Sequence, residues 1–96
     1  MCSANRNVRR SSFKDLFAAL PEWVKDQAQQ AYDVFRRDPD HPSLRRHQLR
    51  NPGERVEPGT FSISITMKYR ALYFIDGGTN VWYWIGTHND YDTYIA

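Results

Sequence analysis

The hydrophobic periodicity of this chain changes from a helical repeat to a strand repeat about halfway along it. In the first half, amphipathic stripes over Ser12–Leu20 and Pro21–Arg37 predict two helices, and the fixed φ of proline suits the junction between them. In the second half, Phe61–Thr66 alternates apolar and polar side chains, which is the period of a half-buried strand. Because the chain has only 96 residues, we expect residues 1–96 to form one domain.

The remaining strand predictions complete a small sheet. Tyr69–Ile75 and Val81–Ile85 are rich in aromatic and β-branched residues, and Asp76–Asn80 between them predicts a hairpin loop. Leu44–Leu49 is a candidate short strand, and residues 1–11 are predicted to be either frayed or a short edge strand. The expected fold is therefore α+β: an N-terminal helical hairpin packed on a small, twisted antiparallel sheet of three to four strands.

The register of the strands decides which side chains share a face of the sheet. A pairing of Asp76 with Asn80 predicts Arg70 opposite Gly86, and a three-residue turn before Tyr69–Ile75 sets Ser64 opposite Arg70. A two-residue turn would instead put the isoleucines of Phe61–Thr66 beside Arg70. The three-residue turn is preferred because it keeps the apolar faces together, although the sequence by itself leaves both turns open. With the three-residue turn, the face away from the helices is predicted to carry Ser62, Ser64, Lys68, Arg70, Leu72, Phe74, Trp82, Trp84 and His88.

The net charge of +2 argues weakly against a protein dedicated to nucleic-acid binding, but the charge is unevenly distributed. Residues 1–75 carry all thirteen Lys and Arg against eight acidic residues, whereas residues 76–96 carry three acidic residues and no Lys or Arg. A basic surface is therefore possible on a nearly neutral protein. The candidate phosphate contacts are Arg45, Arg46, Arg50 and Lys68, together with Ser62 and Ser64. A solvated strand edge is an equally ordinary interpretation of the arginines.

Four residues of the second half carry candidate chemistry. Arg70 lies in the middle of a strand, where a guanidinium is costly to bury unless it meets an anion or a carboxylate. His88 follows the last strand and can act as an acid or base near neutral pH, and Tyr91 and Tyr94 can donate or accept protons. The ordinary alternatives for Arg70 are an ion pair with a carboxylate or an exposed position on an open face of the sheet, and the ordinary alternative for His88 is a turn cap.

Several other classes of protein are not expected. No Cys or carboxylate recurs at metal-ligand spacing around the three histidines, so we expect no metal and no other cofactor. No apolar run approaches the length of a membrane span, and the basic N-terminus lacks the apolar stretch of a signal peptide. The single Cys2 cannot form an internal disulfide. We therefore expect a soluble, cytoplasmic protein.

Five segments together resemble the RelE/ParE superfamily of bacterial toxins from toxin–antitoxin systems, in the manner of RelE and HigB. The resemblance covers Ser12 to about Tyr94, and it depends on the order and spacing of the segments more than on any single one. In chain order they are Ser12-Phe-Lys-Asp-Leu, the Leu20-Pro21 junction, Asp38-Pro-Asp-His-Pro-Ser-Leu44, Lys68-Tyr-Arg-Ala-Leu-Tyr73 and Trp84-Ile-Gly-Thr-His-Asn-Asp-Tyr-Asp92. The family fold is a helical hairpin on a small twisted sheet, which agrees with the prediction from periodicity.

This resemblance implies a metal-independent, ribosome-dependent mRNA endoribonuclease that is inhibited by a cognate antitoxin. Family chemistry activates the RNA 2′-OH to attack the adjacent phosphate. Arg70 matches the central-strand arginine that stabilises charge on the phosphate, and His88 matches the His or Arg that follows the last strand. Tyr94, or else Tyr91, matches a C-terminal tyrosine that stacks on a base or transfers a proton.

Two departures from the family pattern support a second interpretation. Active members often present lysines or a glutamate where this chain has Ser62 and Ser64, and the acidic Asp90 and Asp92 near His88 would repel RNA. The alternative function is therefore binding alone, as a gyrase inhibitor or as a decayed toxin that still binds an antitoxin. A small RNA-binding module without chemistry is a third, weaker interpretation.

Overall fold

A computed structural model describes residues 6–96, so Cys2 lies outside the described part of the chain. A short 3₁₀ turn covers Pro42–Leu44. The other elements, in chain order, are β1 Arg6–Arg9, α1 Ser11–Ala18, α2 Glu22–Arg37, β2 His47–Gln48, β3 Phe61–Thr66, β4 Tyr69–Asp76, β5 Thr79–Thr87 and α3 His88–Ile95. None of the helices within residues 6–96 is long and apolar enough to cross a membrane.

The two N-terminal helices form where the apolar stripes predict them, with Pro21 immediately before α2. Ser12 and Asp15 have the spacing of a capping box, but Ser12 lies within α1 and does not cap it. No side chain caps α1, and the Ser12 hydroxyl instead donates a hydrogen bond of 2.9 Å to the carbonyl oxygen of Tyr83. Ser12 therefore anchors α1 to the sheet. Arg36 and Arg37 occupy the last turn of α2, where cations interact favourably with the helix dipole.

The five strands lie in the order β1-β5-β4-β3-β2, and β1 runs parallel to β5 while the other neighbours are antiparallel. The sheet is thus mixed and one strand larger than the upper limit of the prediction. The sequence of β1 has a single apolar residue, Val8, so its pattern gives no strand signal. Pairing holds it instead, and the Asn7 Oδ1 atom accepts a 2.9 Å hydrogen bond from the Trp82 indole N–H.

The β4–β5 hairpin turns over two glycines, Gly77 and Gly78, whose φ angles of +55° and +82° lie in the left-handed region that glycine tolerates. Asp76 therefore pairs with Thr79, and the predicted pairing of Asp76 with Asn80 is wrong. A pairing of Asp76 with Asn80 would set Phe74 opposite Trp82, whereas Phe74 pairs with Val81 in the structure.

A bulge in β5 restores the predicted register further along the hairpin. Leu72 pairs with Trp84 but Tyr73 pairs with Trp82, so Tyr83 is an extra residue with no partner on β4. The bulge moves Trp82 to the helical face of the sheet and Tyr83 to the opposite face, which is the reverse of the prediction. Beyond the bulge the predicted pairing holds, including Arg70 with Gly86.

The β3–β4 hairpin also combines a shorter turn with an irregularity. Thr66 pairs with Tyr69 across a two-residue turn, and the register shifts between Ser64 and Thr66. Ser64 nevertheless lies opposite Arg70, as the three-residue turn predicted. The face of β3 that carries Ser64 is thus correct, although the turn that produces it is different.

Apolar side chains form a cluster on each face of the sheet. The cluster beneath α1 and α2 contains Phe13, Ala28, Ala31, Phe35, Leu44, Ile63, Ala71, Tyr73, Trp82 and Ile85. The cluster on the opposite face, beneath α3, contains Leu72, Tyr83, Trp84 and Tyr91, with Leu49, Phe74, Tyr94 and Ile95 packed against it. The predicted Arg70 face is therefore partly covered by α3.

Candidate functional site

Arg70 lies half-buried in the middle of β4, on the face of the sheet that α3 covers. Its Nη1 atom donates a hydrogen bond of 2.5 Å to the Ser64 hydroxyl on β3, directly across the strand pair. Its Nε atom is buried and has no hydrogen-bond partner among residues 6–96. No carboxylate of the described chain forms a salt bridge with Arg70, so the expected ion-pair alternative is not realised there.

His88 is the first residue of α3, directly after the end of β5. Its backbone N–H donates a 2.7 Å hydrogen bond to the Lys68 carbonyl, which joins the start of α3 to the β3–β4 turn. The Nδ1 atom of the imidazole lies 3.3 Å from an Asp92 carboxylate oxygen one helical turn later. The side chain of His88 remains 43% exposed, so it is accessible to a ligand.

Tyr91 brings these two side chains together. The Arg70 guanidinium carbon lies 5.6 Å from the centre of the Tyr91 ring, and the imidazole of His88 is centred 5.8 Å from it. Tyr91 is 6% exposed and also packs against Trp84. The site thus consists of a guanidinium and an imidazole that both contact one buried aromatic ring.

Tyr94 lies further from this group, near the end of α3. Its ring stacks on Trp84 at 5.2 Å, and its hydroxyl donates a 3.1 Å hydrogen bond to the carbonyl oxygen of Arg55. Burial raises the pKa of the Tyr94 hydroxyl. Because that hydroxyl is bound to a backbone carbonyl, Tyr94 is less suited than Tyr91 to act beside Arg70.

The predicted RNA-contacting serines and Arg46 have other surroundings. Ser62 is fully buried and its hydroxyl has no partner within the described residues, so RNA cannot reach it in this structure. Ser64 is bound to Arg70 and 8% exposed. Arg46 donates hydrogen bonds to Asp40 and to the Tyr73 hydroxyl, which lies on the helical face of the sheet. Arg46 is therefore separated from Arg70 by the sheet.

The other predicted phosphate contacts are exposed. Lys68 lies in the β3–β4 turn, next to the start of α3. Arg45 directly follows the 3₁₀ turn with a φ of +48°, and Arg50 follows β2. None of the three has a salt bridge within residues 6–96. Lys68 is the one that adjoins His88.

No three His, Cys, Asp or Glu side chains of the described chain come together as a metal site. The chemistry available at the site is that of a fixed cation and an accessible imidazole. A guanidinium can bind a phosphate through several N–H donors, and an imidazole can take up and release a proton near neutral pH.

Neither α3 nor the segment that holds it was predicted from the sequence. Thr87 and Asp90 have the spacing of a capping box, and the Thr87 hydroxyl accepts a 3.1 Å hydrogen bond from the Asp90 N–H. This spacing was a usable signal for a helix start. Arg55 donates a 2.8 Å hydrogen bond to the carbonyl oxygen of Thr93 and lies over the Tyr94 ring, and no sequence pattern marks that contact.

Comparison with known proteins agrees with this architecture. A family model described as a ParE-like toxin domain matches residues 22–93, three-quarters of the chain. The chain belongs to the ParE-like toxin family. This family comprises toxins of toxin–antitoxin systems, so the resemblance to the RelE/ParE superfamily is confirmed. The matched region includes Arg70, His88 and Tyr91 but not α1.

Solved toxin structures share the fold of this ParE-like chain at low sequence identity. YafQ from E. coli strain BL21(DE3) is 8% identical with a TM-score of 0.68, and the match covers 91% of this chain and 97% of that one. The YoeB/ParE toxin from Agrobacterium tumefaciens is 17% identical with a TM-score of 0.65, with coverages of 86% and 98%. The RelBE2 toxin–antitoxin complex from Mycobacterium tuberculosis includes a chain 23% identical with a TM-score of 0.64, with coverages of 88% and 99%. No functionally curated protein matches the sequence significantly.

Proposed function

We propose that this ParE-like protein is a ribosome-dependent mRNA endoribonuclease that acts without a metal ion and inhibits translation in the cytoplasm. The observation that carries the proposal is the grouping of Arg70 and His88 around the ring of Tyr91. We expect one phosphodiester to reach both groups, because they lie 5.6 Å and 5.8 Å from the centre of the same ring. A cation for the phosphate and a group for the proton are the two requirements of attack by a 2′-OH.

In the proposed reaction, neutral His88 takes the proton of the 2′-OH while the 2′ oxygen attacks the adjacent phosphorus. The bond from phosphorus to the 5′ oxygen breaks, which leaves a 2′,3′-cyclic phosphate and a 5′-hydroxyl. The leaving oxygen takes its proton from water or from a protonated side chain. Arg70 stabilises the charge that develops on the phosphate oxygens, and this is worth most in a water-poor site. Lys68, Arg45 and Arg50 would contact the RNA backbone.

The proposed partner that restrains this activity is a cognate antitoxin. The RelBE2 neighbour is a toxin–antitoxin complex, and the positive charge of residues 1–75 suits an acidic segment. Such a segment could order as it binds. Co-expression with the protein encoded by an adjacent reading frame should yield a stable complex.

The test is expression of the chain alone in a bacterium, with growth and mRNA 5′ ends measured. Arg70→Ala should lower cleavage at least a hundredfold, because loss of one donor to a developing oxyanion has about that effect. His88→Ala should lower it by a similar factor through loss of proton transfer. Arg37→Ala and His47→Ala are the matched controls and should keep full activity, because both residues are exposed and their described side-chain hydrogen bonds are to Asp33 and Arg45 and not to the site.

The second candidate function is binding without cleavage, and specific contacts favour it. Ser62 is buried and the Tyr94 hydroxyl is bound to a backbone carbonyl, so two predicted site residues have no free polar group for RNA. Growth arrest with intact mRNA, or arrest that survives Arg70→Ala, would support the binding function and reject the nuclease. Loss of arrest and cleavage together in the two site variants would support the nuclease.

A further inference from the structure

The guanidinium of Arg70 is held by two other side chains of this chain. The hydroxyl of Ser64 accepts a 2.5 Å hydrogen bond from Nη1 across directly paired strands. The ring of Tyr91 covers the guanidinium at 5.6 Å, within the range of a cation–π contact. Both supports are themselves buried, since Ser64 is 8% exposed and Tyr91 is 6% exposed. Neither support can therefore move freely.

These contacts limit which donors of Arg70 can meet a ligand. A guanidinium carries five N–H donors in a rigid plane. One N–H on Nη1 is used by Ser64, and the Nε N–H is buried without a partner among residues 6–96. The donors left for an incoming anion are the remaining ones on the two terminal nitrogens. An anion can therefore meet Arg70 only through these terminal nitrogens.

Tyr91 contacts this group through its ring. The ring packs against Arg70, His88 and Trp84, whereas no hydrogen bond of its hydroxyl is found within the described residues. The ring alone is thus placed to affect Arg70.

We propose that Ser64 and Tyr91 are positioning residues, which hold the Arg70 guanidinium towards the phosphate, and that Tyr91 does so with its ring and not with its hydroxyl. This inference rests on the proposed endoribonuclease function. A long arginine side chain otherwise samples many rotamers, and this conformational freedom would be lost when the phosphate binds. Holding it beforehand favours the transition state, so the effect should appear in kcat more than in KM.

The first arm of the test measures cleavage of a defined mRNA on purified translating bacterial ribosomes. Ser64→Ala should lower kcat about tenfold with KM within about twofold, and Ser64→Thr, which keeps the hydroxyl, should recover most of the loss. The kcat of Tyr91→Phe should stay within about twofold of the wild-type value, whereas the kcat of Tyr91→Leu should fall about tenfold. Thermal unfolding of each variant confirms that it is folded.

Two results would overturn the proposal in this arm. If Ser64→Ala keeps the wild-type kcat, Ser64 is not a positioning residue. A loss in Tyr91→Phe as large as in Tyr91→Leu would give the hydroxyl a chemical role instead.

The second arm needs no activity. The Nε–H signal of Arg70, assigned by its absence in Arg70→Lys, is followed by NMR in the free protein. Ser64→Ala should speed its exchange with solvent about tenfold while the backbone spectrum stays unchanged. Unchanged exchange would overturn the positioning role. If the wild-type protein cleaves no RNA, the proposed function fails, and this arm still decides whether Ser64 holds Arg70.

Discussion

Gly86 lies opposite Arg70 at a position where the sheet has no room for a side chain. A β-carbon built there would lie 2.9 Å from the Trp84 ring, closer than real β-carbons approach other atoms. The ring cannot easily retreat, because Tyr94 stacks on it at 5.2 Å and Tyr91 packs against it. The tight packing beneath α3 thus extends to the strand beside Arg70.

Gly86→Ala should therefore destabilise the protein by about 1–3 kcal/mol, the usual range for overpacking. The measurement is the free energy of unfolding in urea. The control is the same substitution in a Trp84→Leu background, where the smaller side chain leaves room and the cost should fall by at least half. An equal cost in both backgrounds would mean that the Trp84 ring is not the cause.

The structure gives Asp92 a favourable contact that the sequence does not predict. In the sequence it is an acidic residue that would repel RNA near His88. In the structure its carboxylate lies 3.3 Å from the imidazole, so it offsets the charge of the histidine whenever the ring is protonated. Asp90, in the first turn of α3, interacts favourably with the positive end of the helix dipole. Both acids therefore stabilise the local structure.

At the scale of elements, α3 depends on the segment between β2 and β3. An eight-residue helix is too short to be stable by itself. Its end is held by the Gly53 N–H, which donates a 2.8 Å hydrogen bond to the Ile95 carbonyl, and by Arg55, which binds the Thr93 carbonyl at 2.8 Å. This segment therefore keeps α3 on the sheet and Tyr91 beside Arg70.

Arg55→Ala should loosen α3 without unfolding the sheet. Loss of the hydrogen bond and of the contact with Tyr94 is worth about 1 kcal/mol, so hydrogen exchange of the α3 amides should quicken about fivefold. The amides of β4 should keep their wild-type protection. Arg50→Ala, which changes an exposed arginine without described contacts, is the control. Equal effects in α3 and β4 would show that Arg55 supports the whole fold instead.

At the scale of the whole molecule, the sheet separates two apolar clusters, and each contains a buried tyrosine hydroxyl. Burial raises the pKa of Tyr73 on the helical face and of Tyr83 on the opposite face. The Tyr83 hydroxyl is bonded to Thr60 at 2.6 Å and accepts a 3.1 Å hydrogen bond from the Glu57 N–H. The folded protein thus prefers the protonated form of both groups.

The consequence is a loss of stability at alkaline pH. Because the folded pKa values lie above the unfolded value of about 10, this contribution is complete below pH 10 and declines as the pH rises towards the folded values. Urea midpoints should therefore fall above about pH 10. Tyr83→Phe should lower the midpoint at pH 7 and flatten its decline with pH. An equally steep decline in that variant would assign the effect to other groups.

Three elements, α1, α2 and β3, were predictable from the sequence alone. The apolar stripes of α1 and α2 and the alternation of β3 identify these elements, because one face of each must be buried and the spacing of apolar residues follows from that requirement. The alternation of β3 also puts Ser64 on the face that carries Arg70, but their pairing arises from a two-residue turn with an irregularity in β3 and not from the predicted three-residue turn. His88 follows the last strand, as predicted. Local periods therefore identify the elements, whereas they do not identify the turns.

Tertiary structure alone decided the rest. β1 has a polar sequence and exists because it pairs with β5, and the Tyr83 bulge reconciles a two-glycine turn with the packing of both faces. The contact of Tyr91 with Arg70 needs α3 on the sheet, which depends on Arg55 and Gly53 far away in the sequence. The spacing of apolar residues shows which face of an element is buried. Which segment packs against that face depends on contacts between residues far apart in the sequence, and these contacts form only in the folded chain.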